Sequence, residues 1–397
     1  MSKDVFQTLQ DGWYNGIVSG LGLSSSTFQI LQPNPPIIEQ SGDTVLWGYF
    51  NNIPPFSLTQ QFAASGGNQF YSDYRALMSA LEPSSSVNPE TVIGQPAYDE
   101  WVAYVRGLSV FPSANQYPVM FRNWALLNAP GVANAGASAY AQVLLDPILT
   151  AQNVLLLSYT DENGLPEDPD WNLGYSDLVN QLKAAPSTQF DFDSTTENSD
   201  VSSSWTKGGN TGFFGLWGGS SSKSSISESF SENQVQVKST IGHILTFSCT
   251  PGNWYNSGAI GLAFSSETGV PWSPNSAINW NNTFGDKGNM QRFAANIIVV
   301  ADMDITITSD AVYSTSEQTE VHNNSHAGMW PFYSSGGGSS SSTSAKFSSD
   351  GHMTVSIQTD PVTPTVIGVN VLSAAEYLGH SVEAAKLQVK ALKLAAL

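Results

Sequence analysis

The chain has 397 residues, of which 41% are hydrophobic and 11% aromatic, so it contains enough apolar material for the cores of two or three globular domains. Its 33 acidic residues outnumber its 14 Lys and Arg residues and give a net charge of -19, which repels a phosphate backbone and excludes nucleic acid as a partner. The single cysteine, Cys249, excludes an internal disulfide framework and lies on the apolar side of a predicted strand.

The N-terminal sequence gives one expectation about localisation. Met1 to Gln7 contains neither the basic region nor the apolar core of a classical secretory signal. We therefore expect a protein that is synthesised in soluble form in the cytoplasm, with any release following a non-classical route.

Residues 1–186 predict a helical domain, because their apolar side chains recur at intervals of three and four. Pro96 and Pro118 occupy first-turn positions of two of the predicted helices. The stretch Ala133 to Tyr159 is rich in alanine and nearly uncharged, which predicts a helix at the centre of a bundle, kinked or divided at Pro147.

Two long stretches in the second half predict paired β-strands. Val235 to Cys249 and Ala295 to Tyr313 both alternate apolar and polar residues, and this period of two indicates a strand with one buried and one hydrated face. We expect the second strand to run on and end near Val321. The predicted class is therefore α+β: a helical N-terminal half, then a mainly antiparallel β half with two long hairpins that end in aromatic, Gly/Ser-rich loops, and a short C-terminal helix.

The domain organisation follows from the same patterns. We expect a helical domain, a β domain and a basic amphipathic helix that ends the chain, in which apolar and lysine side chains lie on opposite faces. The predicted boundaries are 1–186 for the helical domain, 187–371 for the β domain with hairpins 190–249 and 294–359 and a loop-rich aromatic connector 250–292, and 372–397 for the C-terminal helix.

One short motif suggests catalysis. The apolar stretch ending in Asp302-Met-Asp304 resembles the nucleophile motif of haloacid-dehalogenase-like phosphotransferases, and this resemblance implies that the first aspartate attacks phosphate and that both bind magnesium. The alternation, however, continues through Ile305 and Ile307, which places both aspartates on the hydrated face of a strand. We therefore predict a protein that is not an enzyme.

The histidines offer little for a metal site. His322 and His326 are four residues apart, but the residues between them read as a loop and no third ligand is near in the sequence. We accordingly predict no metal site and no cofactor.

The candidate contact residues lie in two aromatic clusters, each beside a Gly/Ser run at the predicted end of a hairpin. Exposed clusters of this kind mark protein interfaces or membrane contacts, and Trp and Tyr suit the membrane boundary. Three interpretations stay open: contact with lipid, contact with a protein or another copy of the chain, and folding of a hairpin back onto the helical half. We name the clusters tip 1 (Phe213, Phe214, Leu216 and Trp217) and tip 2 (Met329, Trp330, Phe332 and Tyr333).

The layout of a central sheet with a hairpin on either side resembles that of pore-forming toxins. It leads us to expect a non-enzymatic, membrane-interacting protein of the pore-forming or toxin type that docks through both tips, with membrane lipid as partner. The alternative is a self-assembling structural protein, a filament, tube or crystal, in which the hairpins and the C-terminal helix join copies of the chain. The segments Ser220 to Glu232 and Ser339 to Gly351 are polar on both faces, which favours docking or assembly over a conventional barrel wall.

Overall fold

The computed structural model describes residues 14–24, 27–30, 37–54, 69–193, 229, 233–286, 288–324, 328–329, 332–333 and 341–379. Within these ranges most helices lie in the N-terminal half and an antiparallel sheet of seven strands lies mainly in the second half, which confirms the predicted α+β class.

The chain forms two compact units. The sheet unit contains Met1–Gly66, Leu173–Cys249 and Ala294–Val371, and the helical unit contains Gly67–Asn172, Thr250–Phe293 and Leu372–Leu397. The boundaries predicted at 186 and 371 follow the change between helices and strands, whereas these units join segments that are far apart in the sequence.

Thirteen helices occur in the described part of the chain. Several bounds agree with the sequence prediction, and Pro147 does divide the predicted central helix, because it forms the first turn of a new one. In chain order the helices are α1 (14–21), α2 (Gly42–Asn51), α3 (Phe70–Ser79), α4 (Pro89–Ile93), α5 (Gln95–Arg106), α6 (Tyr117–Asn128), α7 (Ala133–Val143), α8 (Pro147–Ser158), α9 (Tyr175–Lys183), α10 (Ser257–Ser265), α11 (Trp280–Thr283), α12 (Thr315–Asn324) and α13 (Ala374–Tyr377).

Aromatic side chains form the core of the helical unit. Phe70 of α3 lies at its centre, with its ring centroid 5.0 Å from that of Phe293 and 5.3 Å from that of Trp254. Trp254, Trp272 and Phe284 of the predicted aromatic connector are buried. Since buried rings of this size stabilise a core by packing, these three contribute to the fold of the helical unit.

Helix α8 is buried on almost every side, as its uncharged sequence predicts. Beside it, α6 and α7 pack closely because Gly136 has no side chain: a Cβ atom there would lie 2.1 Å from the ring of Phe121. Trp101 donates a hydrogen bond of 2.8 Å from its indole nitrogen to the hydroxyl of Tyr140, so this buried polar pair is satisfied.

The described residues of the sheet unit contain nine strands. The long predicted strands are present and pair antiparallel, with Val235 opposite Ser309 and Phe247 opposite Ile297. The strands are β1 (Phe28–Ile30), β2 (Thr188–Asp193), β3 (Val235–Ser248), β4 (Arg292–Val312), β5 (Gly328–Met329), β6 (Phe332–Tyr333), β7 (Ser341–Phe347), β8 (His352–Thr359) and β9 (Thr365–Ser373).

Seven of these strands form one sheet and two form a separate small one. The large sheet has the order β1-β9-β4-β3-β2, and β8 also pairs with β4 and carries β7 on its other side. Strand β2 pairs antiparallel with β3, and β8 pairs antiparallel with β4. Each of the two predicted hairpin regions therefore supplies neighbouring strands of the sheet.

The one-sided burial predicted for the whole length of β3 and β4 holds for one half of each strand. From Val235 to Ile241 and from Asp302 to Val312 buried and more exposed residues alternate. In the other half, residues 297–301 are buried on both faces. Helices α2 and α9 explain this difference, because Phe50 of α2 contacts Phe247, with ring centroids 6.1 Å apart, and α9 packs against β3.

The prediction of a strand that ends near Val321 is wrong, since residues Thr315–Asn324 form α12. A capping box starts this helix: the backbone nitrogen of Ser314 donates to Oε2 of Glu317 at 2.8 Å, and the Glu317 nitrogen donates to the Ser314 hydroxyl at 3.4 Å. The predicted C-terminal helix is described only as far as residue 379: Ala374–Tyr377 form α13, a turn follows, and residues 380–397 lie outside the described ranges.

Candidate functional site

Both predicted hairpin loops begin at the same end of the large sheet. Asp193 at the end of β2 pairs with Gln236 near the start of β3, so segment 194–232 connects two neighbouring strands there. Val235 pairs with Ser309, and β4 ends three residues later at Val312. Segment 313–340 therefore leaves the sheet at the end from which segment 194–232 also departs. We call this the loop end.

The tip residues are only partly within the described structure. Phe213, Phe214, Leu216 and Trp217 of tip 1, and Trp330 of tip 2, lie outside the described residues. The backbone of the other tip 2 residues forms a small hairpin, in which β5 pairs with β6 and Met329 lies opposite Phe332. Strand β5 lies beside β7, so this part of tip 2 stays near the sheet.

Helix α12 holds the described start of segment 313–340 against the sheet. This helix packs beside β7 and contains one apolar residue, Val321, which is fully buried in the core that covers the inner face of the sheet. The ring of His322 lies 5.5 Å from that of Phe347. A helix attached through so few apolar contacts gains little from packing, since most helical stability in proteins comes from an apolar face.

The outer face of the sheet is polar and lies opposite the apolar core. Cross-strand rows place Lys238 beside Thr306 and Thr306 beside Ser356, so hydroxyl, amide and charged groups form an ordered array. Such a surface prefers water to acyl chains, so this face is not suited to contact with a membrane interior. The array comprises Gln236, Lys238 and Thr240 of β3, Asp304, Thr306 and Thr308 of β4, Thr354, Ser356 and Gln358 of β8, and Ser342, Ser344 and Lys346 of β7.

Asp302 and Asp304 are exposed, as the alternation predicts, and they lie in an antiparallel strand.

Cys249 is buried as predicted, and burial raises the pKa of its thiol well above the ordinary value, which disfavours the reactive thiolate. In the ranges that the structure covers, no three His, Cys, Asp or Glu side chains are grouped so that they could hold a metal ion.

Asp73 of α3 is the carboxyl group in the helical unit with the clearest expected pH effect. Burial raises its pKa to about 6, an effect that a hydrogen bond from the side chain of Asn289 opposes, and its Oδ2 atom is buried without a hydrogen-bond partner. An acid whose pKa is raised in the folded state stabilises the fold below its unfolded pKa, and this contribution is lost as the pH rises through the folded value.

We therefore expect Asp73→Asn to weaken the dependence of stability on pH between 4.5 and 7.5. Asparagine stays neutral, so the variant should gain roughly 1 kcal/mol relative to the parent across this interval, after allowance for solvent screening. Urea unfolding at several pH values measures this change. If the free energy of unfolding changes with pH equally in the two proteins, the raised pKa of Asp73 is contradicted, whatever the constant difference in stability between them.

Sequence reasoning identified the paired strands β3 and β4, but it missed α12 and the crossing of segment 313–340 to Ser341 at the opposite end of the sheet. The signal was present as Ser314 and Glu317, which have the spacing of a capping box.

Among the described helices, none is long and apolar enough to cross a lipid bilayer. The chain shows no significant match to any protein-family model, curated protein or solved structure.

Proposed function

We propose that this protein is a non-enzymatic membrane-docking protein of the pore-forming or toxin type, which contacts lipid through tips 1 and 2. The observation that carries the proposal is the common origin of segments 194–232 and 313–340 at the loop end of the sheet. Two segments that start at one edge can face one flat surface together, and segment 194–232 also ends there, whereas segment 313–340 ends at Ser341 at the opposite end of the sheet.

The free energy gained by burying large apolar side chains supports docking by apolar insertion. Burying one large apolar side chain contributes about 1.5–3 kcal/mol, so a few residues from the two tips suffice for measurable binding. The net charge of -19 opposes contact with anionic lipid, and it does not oppose contact with a zwitterionic surface. The polar outer face of the sheet adds no apolar area, which leaves the tips as the source of affinity.

Vesicle flotation tests the proposal. We expect the parent protein to float with phosphatidylcholine vesicles, and Trp217→Ser combined with Trp330→Ser to reduce the bound fraction at least tenfold. Binding should persist when NaCl is raised from 50 to 500 mM, because salt screens charge pairs and not apolar contacts.

Leu165→Ser provides the matched control, because Leu165 is a 60% exposed apolar side chain outside both tips. This variant should float as the parent does. A parent protein that stays with the unbound fraction, or a double variant that floats normally, would refute docking through the tips.

The alternative of a self-assembling structural protein remains a second proposal. It assigns the subunit contacts to the hairpins and the C-terminal helix, and residues 380–397 of that helix lie outside the described ranges. Negative-stain microscopy of the protein without lipid separates the two proposals, because ordered filaments, tubes or lattices are expected only for the alternative.

A further inference from the structure

Asn163 and Gly164 lie in an exposed turn of the helical unit, between residues 161 and 165. Gly164 has a φ of 80°, a left-handed conformation that glycine adopts without the steric cost that other residues meet. Asn163 and all its neighbours from Glu162 to Asp168 are exposed. The sequence contains one other Asn-Gly dipeptide, Asn15-Gly16 in helix α1. The two dipeptides have the same chemistry and lie in different structural settings.

An Asn-Gly dipeptide can deamidate through a five-membered ring. The backbone nitrogen of Gly164 attacks Cγ of Asn163 and forms a nitrogen–carbon bond, and its proton passes by way of solvent to the carboxamide nitrogen, which leaves as ammonia. Water then adds to one of the two carbonyl carbons of this succinimide and breaks the bond from that carbon to the ring nitrogen. The product is aspartate or isoaspartate, in which the backbone runs through the former side chain. Glycine favours the attack because it has no Cβ atom that obstructs its nitrogen.

Polar contacts hold the turn closed. The Gly164 nitrogen donates a hydrogen bond of 3.1 Å to the carbonyl oxygen of Asp161. Oδ1 of Asp161 accepts from the backbone nitrogens of Asn163 and Leu165 at 2.9 and 2.7 Å. The side chain of Leu165 is 60% exposed, so it does not anchor the turn in a core. Exposed hydrogen bonds without buried apolar contacts open at low free energy, and local opening therefore releases the Gly164 nitrogen for attack.

Helix α1 protects the other Asn-Gly dipeptide. Tyr14 and Ile17, on either side of Asn15-Gly16, are 1% and 0% exposed and belong to the core of the sheet unit. Ring closure needs rotation about the Cα–C bond of Asn15, which the helical conformation prevents. Opening the helix would withdraw both core side chains, so it occurs far less often than opening of the exposed turn. We propose that Asn163 is a site of deamidation and isoaspartate formation in the folded protein and that Asn15 is not.

The modification changes both the charge and the length of the turn. Residues 161–170 contain five carboxylates and no Lys or Arg, and the product adds a sixth carboxylate at position 163. Isoaspartate also inserts a methylene group into the backbone between Asp161 and Leu165, so the hydrogen bonds that close the turn lose their present geometry. We therefore expect the modified protein to have a more acidic and more open loop here.

Peptide mapping of the full chain tests this site. We expect incubation at pH 8 and 37 °C to raise the mass of the peptide that contains Asn163 by about 1 Da, with isoaspartate identified by electron-transfer fragmentation. In the folded protein the modified fraction at Asn163 should exceed that at Asn15 at least tenfold, because α1 stays closed. In 6 M guanidinium chloride the two sites should react at rates within about threefold of each other, since both are then unfolded Asn-Gly dipeptides.

Two variants test the role of the turn. Asp161→Ala removes the acceptor of the Asn163 and Leu165 nitrogens and should speed deamidation of Asn163 at least twofold. Glu162→Ala is the matched control, because it removes an exposed carboxylate from the neighbouring residue and leaves these hydrogen bonds in place. Its rate should stay close to that of the parent, and circular dichroism checks that both variants are folded.

Several outcomes would overturn the proposal. These are equal modification of Asn15 and Asn163 in the folded protein, an Asn163 that stays unmodified for two weeks, and equal acceleration by both variants, which would remove the turn as the controlling feature. This inference is independent of docking through tips 1 and 2.

Discussion

Replacing Gly242 with alanine is expected to destabilise the sheet unit by about 2–4 kcal/mol, because the new Cβ atom collides with the facing strand. A Cβ atom at Gly242 would lie 2.2 Å from Oδ2 and 2.7 Å from both Cβ and Cγ of Asp302. Since Cβ is fixed by the backbone, rotation of the Asp302 side chain does not remove the overlap. Chemical denaturation at pH 7 measures the loss.

A double-mutant cycle isolates this contact. Asp302 has a φ of 55°, a conformation that costs most residues about 1–2 kcal/mol, so Asp302→Gly should remove the collision and this strain together. We expect Gly242→Ala to cost less than about 1 kcal/mol in the Asp302→Gly background. If the stability changes of the two substitutions are simply additive, the loss caused by Gly242→Ala does not come from its contact with Asp302.

Gly48→Ala is the matched control for the same substitution. Gly48 lies inside α2 of the sheet unit, and nothing is within 4 Å of the position that its Cβ would occupy. Alanine favours a helix over glycine by about 1 kcal/mol, so this variant should be more stable than the parent.

Asp146→Ala is expected to destabilise the helical unit by about 2–4 kcal/mol, since it leaves several donors without an acceptor. Oδ1 of Asp146 accepts hydrogen bonds from the backbone nitrogens of Ile148 and Leu149 at 2.9 and 3.0 Å. Oδ2 accepts from the Ser84 hydroxyl at 2.7 Å and the Ser85 nitrogen at 2.9 Å. One buried carboxylate thus caps α8 and also binds the loop between α3 and α4.

The stability lost in Asp146→Ala should decrease as the pH falls. Burial by itself raises the pKa of Asp146, but hydrogen bonds from Leu149, Ser84 and Ser85 outweigh it and hold the pKa below its ordinary value. An acid of this kind stabilises the fold above its unfolded pKa of about 4, and the contribution is lost as the pH falls through the folded value.

The difference between the parent and Asp146→Ala should therefore be constant from pH 5 to 7 and shrink below pH 4. The control is Asn88→Ala, which removes an exposed cap with a single bond of 2.9 Å to the Glu90 nitrogen and should cost about 0.5–1 kcal/mol at every pH. A pH-independent loss at Asp146 would contradict the assignment of an ionised cap.

The parts of the fold that the sequence predicts are those with a local cause. The alternation of β3 and β4 identified two long strands, because a period of two follows from strand geometry alone. The change to burial on both faces near Phe247 could not be predicted, since it depends on Phe50 of α2, almost two hundred residues earlier in the chain.

Other parts failed because two local signals competed. The predicted strand ran on to Val321, whereas Ser314 and Glu317 indicated a capping box, and the helix formed. Strand β7 was missed because Ser341–Phe347 has few apolar residues, and it forms as the outer partner of β8. Of the candidate site, the sequence located both loops, but their departure from one end follows from the strand register.

Segments 194–232 and 313–340 differ in whether the strands on either side of them can be extended as a pair. Segment 194–232 connects neighbours, β2 and β3, so both strands could lengthen past Asp193 and Val235 as one ribbon without disturbing the sheet. Segment 313–340 connects β4 to β7, and β8 lies between them. Strands β4 and β7 both run antiparallel to β8, so strands grown from the end of β4 and the start of β7 would extend from opposite ends of the sheet and could not form a hairpin. Any transition from a docked to an inserted form would thus be asymmetric, with segment 194–232 as its leading element.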